Sequence, residues 1–167
     1  SDTNIFPLSG ISNVRTIFCK EENRFHEYHS DNFGFNNIKA KPSKPSNILL
    51  IGDSYVQGMC IEPSLSLASN LSAINMGFFG NGPLIEYATF REYGHLHSFD
   101  YLVWVFTPDN DFYDFSQEIQ NGILENYLSD TKYSQELVKN DHLKNETIKN
   151  YFNYDSRIIK EKIKHYH

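Results

Sequence analysis

Three residues in the middle of the chain, Ser54, Gly80 and Asn110, are of types that suit acyl transfer. A serine hydroxyl can attack a carbonyl carbon, and a glycine N–H together with an asparagine amide can hydrogen-bond the oxyanion that forms. Each of the three follows a short apolar segment of the kind found in buried parallel strands. Because the carboxyl ends of parallel strands meet at one rim of a sheet, the pattern predicts one shared site.

Ser54 closes the segment Asn47-Ile48-Leu49-Leu50-Ile51-Gly52-Asp53-Ser54. The apolar run predicts a buried strand over 48–51, then a tight turn and a helical region to about residue 71. The unpaired N–H groups at a helix start favour a developing negative charge nearby. A purely structural alternative is that Asp53 or Ser54 only caps the helix, which is common at such turns.

Two further strand–helix units follow along the chain. The sequence predicts a strand over residues 73–76, followed by a glycine-rich loop at 77–82. Pro83 suits the first turn of a helix that is expected to run to about residue 93. Residues 101–106 predict another buried strand, and residues 115–128 a helix. This alternation predicts an α/β fold with a short parallel sheet of three strands, whose open edge would need a cover.

The chain divides by composition into three predicted parts. Residues 1–46 are expected to form an N-terminal arm with a hairpin near 14–28 and an extended linker at 39–46. Residues 47–128 are expected to form the α/β core. Residues 129–167 are rich in Lys, Asn, Asp and Glu with a thin apolar stripe, which indicates a polar helical tail.

Three segments together resemble the first three sequence blocks of the SGNH, or GDSL, hydrolase superfamily: Gly52-Asp53-Ser54, residues 75–80, and Asp109-Asn110-Asp111. The similarity in order and spacing covers about residues 47–114. The segment 31–36 also resembles an Asp-x-x-Gly-Phe-Asn-like arm of uncharacterised bacterial members. The resemblance implies a three-layer flavodoxin-like fold and a serine esterase or deacylase. Its substrate would be a small-molecule or glycan acyl ester, and it would need no cofactor or metal.

The same resemblance assigns the nucleophile to Ser54 and the oxyanion hole to the Gly80 N–H and the Asn110 amide. The sequence departs from the family at Asp109, where a glycine is common. It also lacks the Asp-x-x-His block that supplies the general base. Three explanations are open: the domain is incomplete at its C-terminus, His165 or His167 is the base, or the domain binds a ligand without catalysis.

Other chemistry at these positions is less well supported by the residues. The loop 77–82 could cradle a phosphate, but it lacks the Lys and Ser/Thr of a P-loop. The acidic residues Asp109, Asp111 and Asp114 suit turn and helix-start roles better than a cation site. His95 and His97 have no third ligand nearby and are expected to be loop histidines.

The overall composition limits partners and location. The net charge of −6 gives no electrostatic case for nucleic acid, and no run approaches the ~18 apolar residues of a membrane span. Cys19 and Cys60 are either buried thiols or a disulfide that ties the arm to the loop after Ser54. The chain starts without Met, so an export signal could have been removed, and an extracytoplasmic location is favoured over a cytoplasmic one. The sequence does not indicate the oligomeric state.

Overall fold

The structure, a computed structural model, describes residues 5–37 and 47–164, with side chains up to residue 153. Within these residues the chain has an α/β fold. The arm contains an antiparallel hairpin of β1 (Arg15–Glu21) and β2 (Arg24–His29), as the sequence predicts. The predicted linker at 39–46 lies outside the described residues.

The core sheet contains β3 (Ile48–Ile51), β4 (Ile74–Asn75) and β5 (Tyr101–Trp104). The strands are parallel and lie in the order β4-β3-β5, so β3 is central. The side chains of Leu49 and Leu50 are fully buried on the two faces of β3. This confirms the predicted short parallel sheet and its buried first strand.

The expected burial of β5 is wrong. All four of its side chains, from Tyr101 to Trp104, are 40–62% exposed. The strand lies at the edge of the sheet, and no described strand pairs with its outer side. An apolar sequence alone cannot distinguish an edge strand from a central one, because burial depends on which neighbours the fold supplies.

Six α-helices connect and flank the strands in the described part of the chain. They are α1 (Ser54–Gln57), α2 (Leu67–Leu71), α3 (Pro83–Tyr93), α4 (Pro108–Glu118), α5 (Gly122–Ser129) and α6 (Asp141–Lys164). Helix α3 has the predicted bounds. The single helix predicted over 115–128 is wrong, because Pro108 begins a helix earlier and Asn121 starts a new one by accepting hydrogen bonds from Ile123 and Leu124.

One buried apolar cluster joins the arm to the sheet and to the C-terminal segment. Ile5, Leu8 and Phe35 of the arm pack in the same cluster as Ile51 of β3 and Leu137. The arm therefore contributes to the same core as the sheet in the described residues. The exact domain boundaries after residues 46 and 128 stay predictions.

Lys144 fixes α6 to the arm. Its ammonium group is fully buried and donates to the Phe33 carbonyl at 2.7 Å and to the hydroxyls of Ser9 and Ser12 at 3.2 Å each. It also pairs with Asp141 at 2.9 Å. Burial lowers the pKa of Lys144, and the Asp141 carboxylate opposes that shift. This network holds the start of α6 in a defined place.

A disulfide joins Cys19 on β1 to Cys60 in the loop after α1, with the two Cα atoms 5.5 Å apart. Of the two alternatives open from the sequence, the structure therefore contains the bridge. It ties the hairpin to the segment that follows Ser54. Among the described helices, none is long and apolar enough to cross a bilayer.

Candidate active site

Ser54 is the first residue of α1 and follows β3 after the turn at Gly52 and Asp53. The helix cap is Asp53, whose Oδ1 accepts a hydrogen bond from the Tyr55 N–H at 2.9 Å. No described residue hydrogen-bonds the half-buried Ser54 hydroxyl. The capping role thus belongs to Asp53, which leaves the Ser54 hydroxyl free for another interaction.

The glycine-rich loop lies directly against this turn. The Phe78 N–H donates to the Gly52 carbonyl at 3.2 Å, which continues the β4–β3 pairing beyond the strands. A Cβ at Gly77 would lie 2.5 Å from both the Val56 Cβ and the Gln57 nitrogen. Only glycine permits that close approach of the loop to α1.

Asn75 fixes the path of the loop as it leaves β4. Its side chain is fully buried, accepts from the Gly77 N–H at 2.8 Å and donates to the Val56 carbonyl at 2.9 Å. The Asn37 side chain of the arm bonds both backbone groups of Asn75, at 2.8 and 2.9 Å. The arm thereby covers the outer edge of β4 in place of a fourth strand.

Gly80 lies at the outer end of the loop. It has a left-handed φ of +78°, which favours glycine, and a Cβ there would meet nothing within 4 Å. The residue is exposed, and no described group accepts a hydrogen bond from its N–H. The Gly80 N–H is therefore a backbone donor without an acceptor among the described residues.

Asn110 lies in the first turn of α4 and not in a loop as its sequence position suggested. Its amide donates to the Asp114 Oδ2 at 3.0 Å, one helical turn further on. Because β5 is parallel to β3 and lies next to it, the start of α4 lies at the same carboxyl end of the sheet as Ser54. Its predicted role as an oxyanion donor would require the amide to exchange Asp114 for a ligand.

Two buried carboxyl groups lie near the Ser54 turn. Asp111 accepts from the Thr107 N–H at 2.5 Å, and Glu86 accepts from the Trp104 indole N–H at 2.6 Å. The second oxygen of each carboxyl is buried without a hydrogen-bond partner in the described residues. Burial, reinforced by the charge of Asp53, raises the pKa of Asp111 and raises that of Glu86 to about 8.

The carboxylate of Glu118 on α4 occupies the start of α3. It accepts from the N–H groups of Gly82, Leu84 and Ile85 at 2.7, 2.9 and 3.4 Å. These are the donors that an anion bound after the glycine loop would use. A protein carboxylate already satisfies them, which counts against the phosphate-binding alternative for residues 77–82.

No general base is identified in the described residues. No described histidine forms a hydrogen bond to Ser54. The described histidines are His26, His29, His95, His97 and His142. The two candidate bases, His165 and His167, lie outside the described residues. The described residues also contain no group of three His, Cys, Asp or Glu side chains that could hold a metal ion, including around Asp109.

Sequence reasoning missed three residues that organise this region: Gln57, Asn75 and Glu118. The Asn75 role had a local signal, since an asparagine two residues before a glycine at a strand end can form an Asx turn. The roles of Gln57 and Glu118 had no such signal. Their partners are 22 to 36 residues away along the chain, so only the fold brings them together.

No protein-family model, curated protein or solved structure matches the chain. The SGNH resemblance therefore depends on the three short segments quoted above. Any function must be inferred from those segments and from the geometry around Ser54.

Proposed function

We propose that the protein is a serine esterase or deacylase of the SGNH type, with a three-layer flavodoxin-like arrangement, acting on an O-acyl ester such as an acylated carbohydrate. The observation that most supports this is the contact between the Ser54 turn and the glycine loop. The loop is hydrogen-bonded to Gly52, and the Ser54 hydroxyl is left free by the Asp53 cap. Acyl transfer requires a nucleophile and nearby N–H groups that can hydrogen-bond an oxyanion, and the ends of two adjacent strands supply both here.

In this proposal the Ser54 Oγ attacks the ester carbonyl and its proton passes to a base. The Gly80 N–H and the Asn110 amide stabilise the oxyanion, after the amide exchanges Asp114 for the substrate. The alcohol departs with a proton, and water then hydrolyses the acyl-Ser54 intermediate to release the acid. Because a serine is a weak nucleophile without a base, His165 or His167 is the candidate for that role.

The alternative is a domain that binds a ligand at the same carboxyl end of the sheet and does not catalyse a reaction. It is favoured by the Asn110 amide, which is satisfied by Asp114, and by the two buried carboxyl groups near the turn. A negative charge on Asp111 would oppose an oxyanion nearby. No described histidine is hydrogen-bonded to Ser54, which also favours this alternative.

We further propose that the protein functions outside the cytoplasm. The Cys19–Cys60 disulfide supports this, because such bridges persist mainly in oxidising compartments. The bridge closes a segment of 41 residues, a length over which a cross-link stabilises a fold appreciably.

Hydrolysis of p-nitrophenyl acetate by the wild type, Ser54→Ala and Ser64→Ala separates the two functions. Ser64 is an exposed serine in the turn between α1 and α2 and serves as the matched control. The esterase proposal expects activity that disappears only in Ser54→Ala. If activity persists in Ser54→Ala, or if the wild type has none, the esterase proposal is wrong. Binding without turnover would then favour the ligand-binding alternative.

A further inference from the structure

A cavity of about 610 Å³ lies between the hairpin, the glycine loop and α6. Its size falls within the range of roughly 300–1,000 Å³ typical of small-molecule sites. The walls come from three parts of the chain that are distant in sequence. The main apolar contributors are Val14, Phe18, Phe78, Phe79, Ile148 and Phe152.

Among the described residues the lining is mainly apolar. The one charged side chain that these residues contribute is that of Arg15, which is exposed and pairs with Glu27. The buried polar groups of the wall already have partners: the Gln57 amide donates to the Tyr28 hydroxyl, and the Ser9 hydroxyl donates to a backbone carbonyl. Contact with hydrocarbon is favourable at such a surface, and the charge of Arg15 is already paired with Glu27 at the exposed rim.

The cavity and the candidate nucleophile are close along the backbone. Gln57, which lines the cavity, is the last residue of α1, and Ser54 is the first. Three residues of helix correspond to a rise of about 4.5 Å. Phe78 and Phe79, which form another wall, directly precede Gly80 in the loop. A chain in the cavity would therefore lie beside the two segments that carry Ser54 and Gly80, although neither of these residues lines the cavity.

We propose that this cavity binds the hydrocarbon chain of a medium-length fatty acyl group. The further statement that this chain is the acyl part of the substrate rests on the proposed esterase function. The two statements are tested separately, because chain binding requires no turnover. The ligand class follows from the mainly apolar lining, the volume, and the position of Gln57 on the same short helix as Ser54.

Binding is measured with the Ser54→Ala protein, which cannot form an acyl-enzyme. The probe is dansyl-labelled undecanoic acid, displaced by methyl decanoate. Ile148→Trp and Thr147→Phe place bulk in the cavity, and Leu128→Trp on the exposed face of α5 is the matched control. Circular dichroism identifies any variant that fails to fold, and either cavity variant suffices if the other does not fold.

We expect affinity for methyl decanoate to fall about tenfold or more in each folded cavity variant and to stay unchanged in Leu128→Trp. Absence of binding, or equal binding by all variants, would overturn the proposal. The substrate statement is tested with the hydrolytic protein. Ile148→Trp should lower p-nitrophenyl decanoate hydrolysis by a larger factor than p-nitrophenyl acetate hydrolysis, whereas Leu128→Trp should change neither. If methyl decanoate binds in the cavity but no ester is hydrolysed, the proposed cavity site is supported and the proposed esterase function is wrong.

Discussion

The side-chain oxygen of Gln57 accepts a hydrogen bond from the backbone N–H of Phe79 at 3.0 Å. The nitrogen of the same amide donates to the Tyr28 hydroxyl at 3.2 Å. One buried side chain thus connects α1, the glycine loop and the hairpin. Asn36 of the arm adds a bond from its amide to the Gln57 carbonyl at 2.9 Å. The position of the loop beside Ser54 therefore depends on contacts from the arm.

Gln57→Leu should destabilise the fold and displace the loop. It removes the acceptor of the Phe79 N–H and one donor to the Tyr28 hydroxyl, and a polar group left unsatisfied away from water costs roughly 1–3 kcal/mol in the free energy of unfolding. Urea denaturation measures this change. Gln117→Leu, on the exposed side of α4, should change stability by less than about 0.5 kcal/mol. Equal effects of the two substitutions would contradict the bridging role of Gln57.

Stability should decrease as pH rises from about 4.5 toward 8. The pKa of Glu86 is raised by burial from 4.5 to about 8, so over this interval the unfolded chain releases a proton that the folded protein retains. Glu118 and Asp111 shift in the same direction and add to the slope. The Glu86 contribution should reach roughly 4 kcal/mol by pH 8, given about 1.4 kcal/mol per pKa unit.

Glu86→Gln should flatten this dependence, because an amide does not titrate. Chemical denaturation at a series of pH values gives the slope for each protein. Glu125→Gln, at an exposed position on α5, is the control and should leave the slope unchanged. A Glu86→Gln slope equal to that of the wild type would show that Glu86 is not the source.

Reduction of the Cys19–Cys60 bridge should lower the free energy of unfolding by about 3–4 kcal/mol in the chain-entropy account, since the bridge closes 41 residues. Thermal denaturation with and without dithiothreitol measures the effect. A Cys19→Ser/Cys60→Ser double variant should match the reduced wild type and be insensitive to the reductant. Mass spectrometry of the untreated protein should find no free thiol.

Lys144→Met should be strongly destabilising. It leaves the Phe33 carbonyl without its donor and Asp141, whose side chain is 26% exposed, without its cation, and such unpaired groups cost roughly 1–3 kcal/mol. Lys139→Met is the matched control, because Lys139 pairs with Glu136 on the surface with its own side chain 74% exposed. Its effect should be below about 1 kcal/mol. Similar denaturation midpoints for the two variants would exclude Lys144 as an anchor of α6.

The open side of β5 should make the protein self-associate at high concentration. Four exposed apolar residues lie on a strand whose outer side pairs with no described strand, and such edges pair with other chains. Val103→Lys should therefore shift sedimentation equilibrium toward the monomer. Leu71→Lys, at a similarly exposed position on α2, should not. A wild type that stays monomeric at all concentrations tested would disprove this expectation.

Local patterns predicted the hairpin, the central strand and α3, because turn residues, apolar runs and Pro83 act over a few neighbouring positions. They failed where the outcome depends on distant neighbours. The exposure of β5 follows from its place at the sheet edge, which no residue of the strand encodes. The sequence did not indicate the helical position of Asn110, because the predicted helix begins at residue 115 and α4 begins at Pro108. The cavity needs hairpin, loop and α6 together, and hence the whole fold.

The hydrogen bonds of the Glu118 carboxylate connect two helices of the candidate site. Glu118 and Asn110 belong to the same helix, and Glu118 is bonded to the backbone immediately after the loop that contains Gly80. Glu118 therefore links the helix of Asn110 to the start of α3, while Gln57 and Asn75 tie the glycine loop itself to the helix that begins at Ser54. Substitutions along α4 should then change the distance between the Asn110 amide and Ser54. Substrate preference could thus be altered by residues that never touch Ser54.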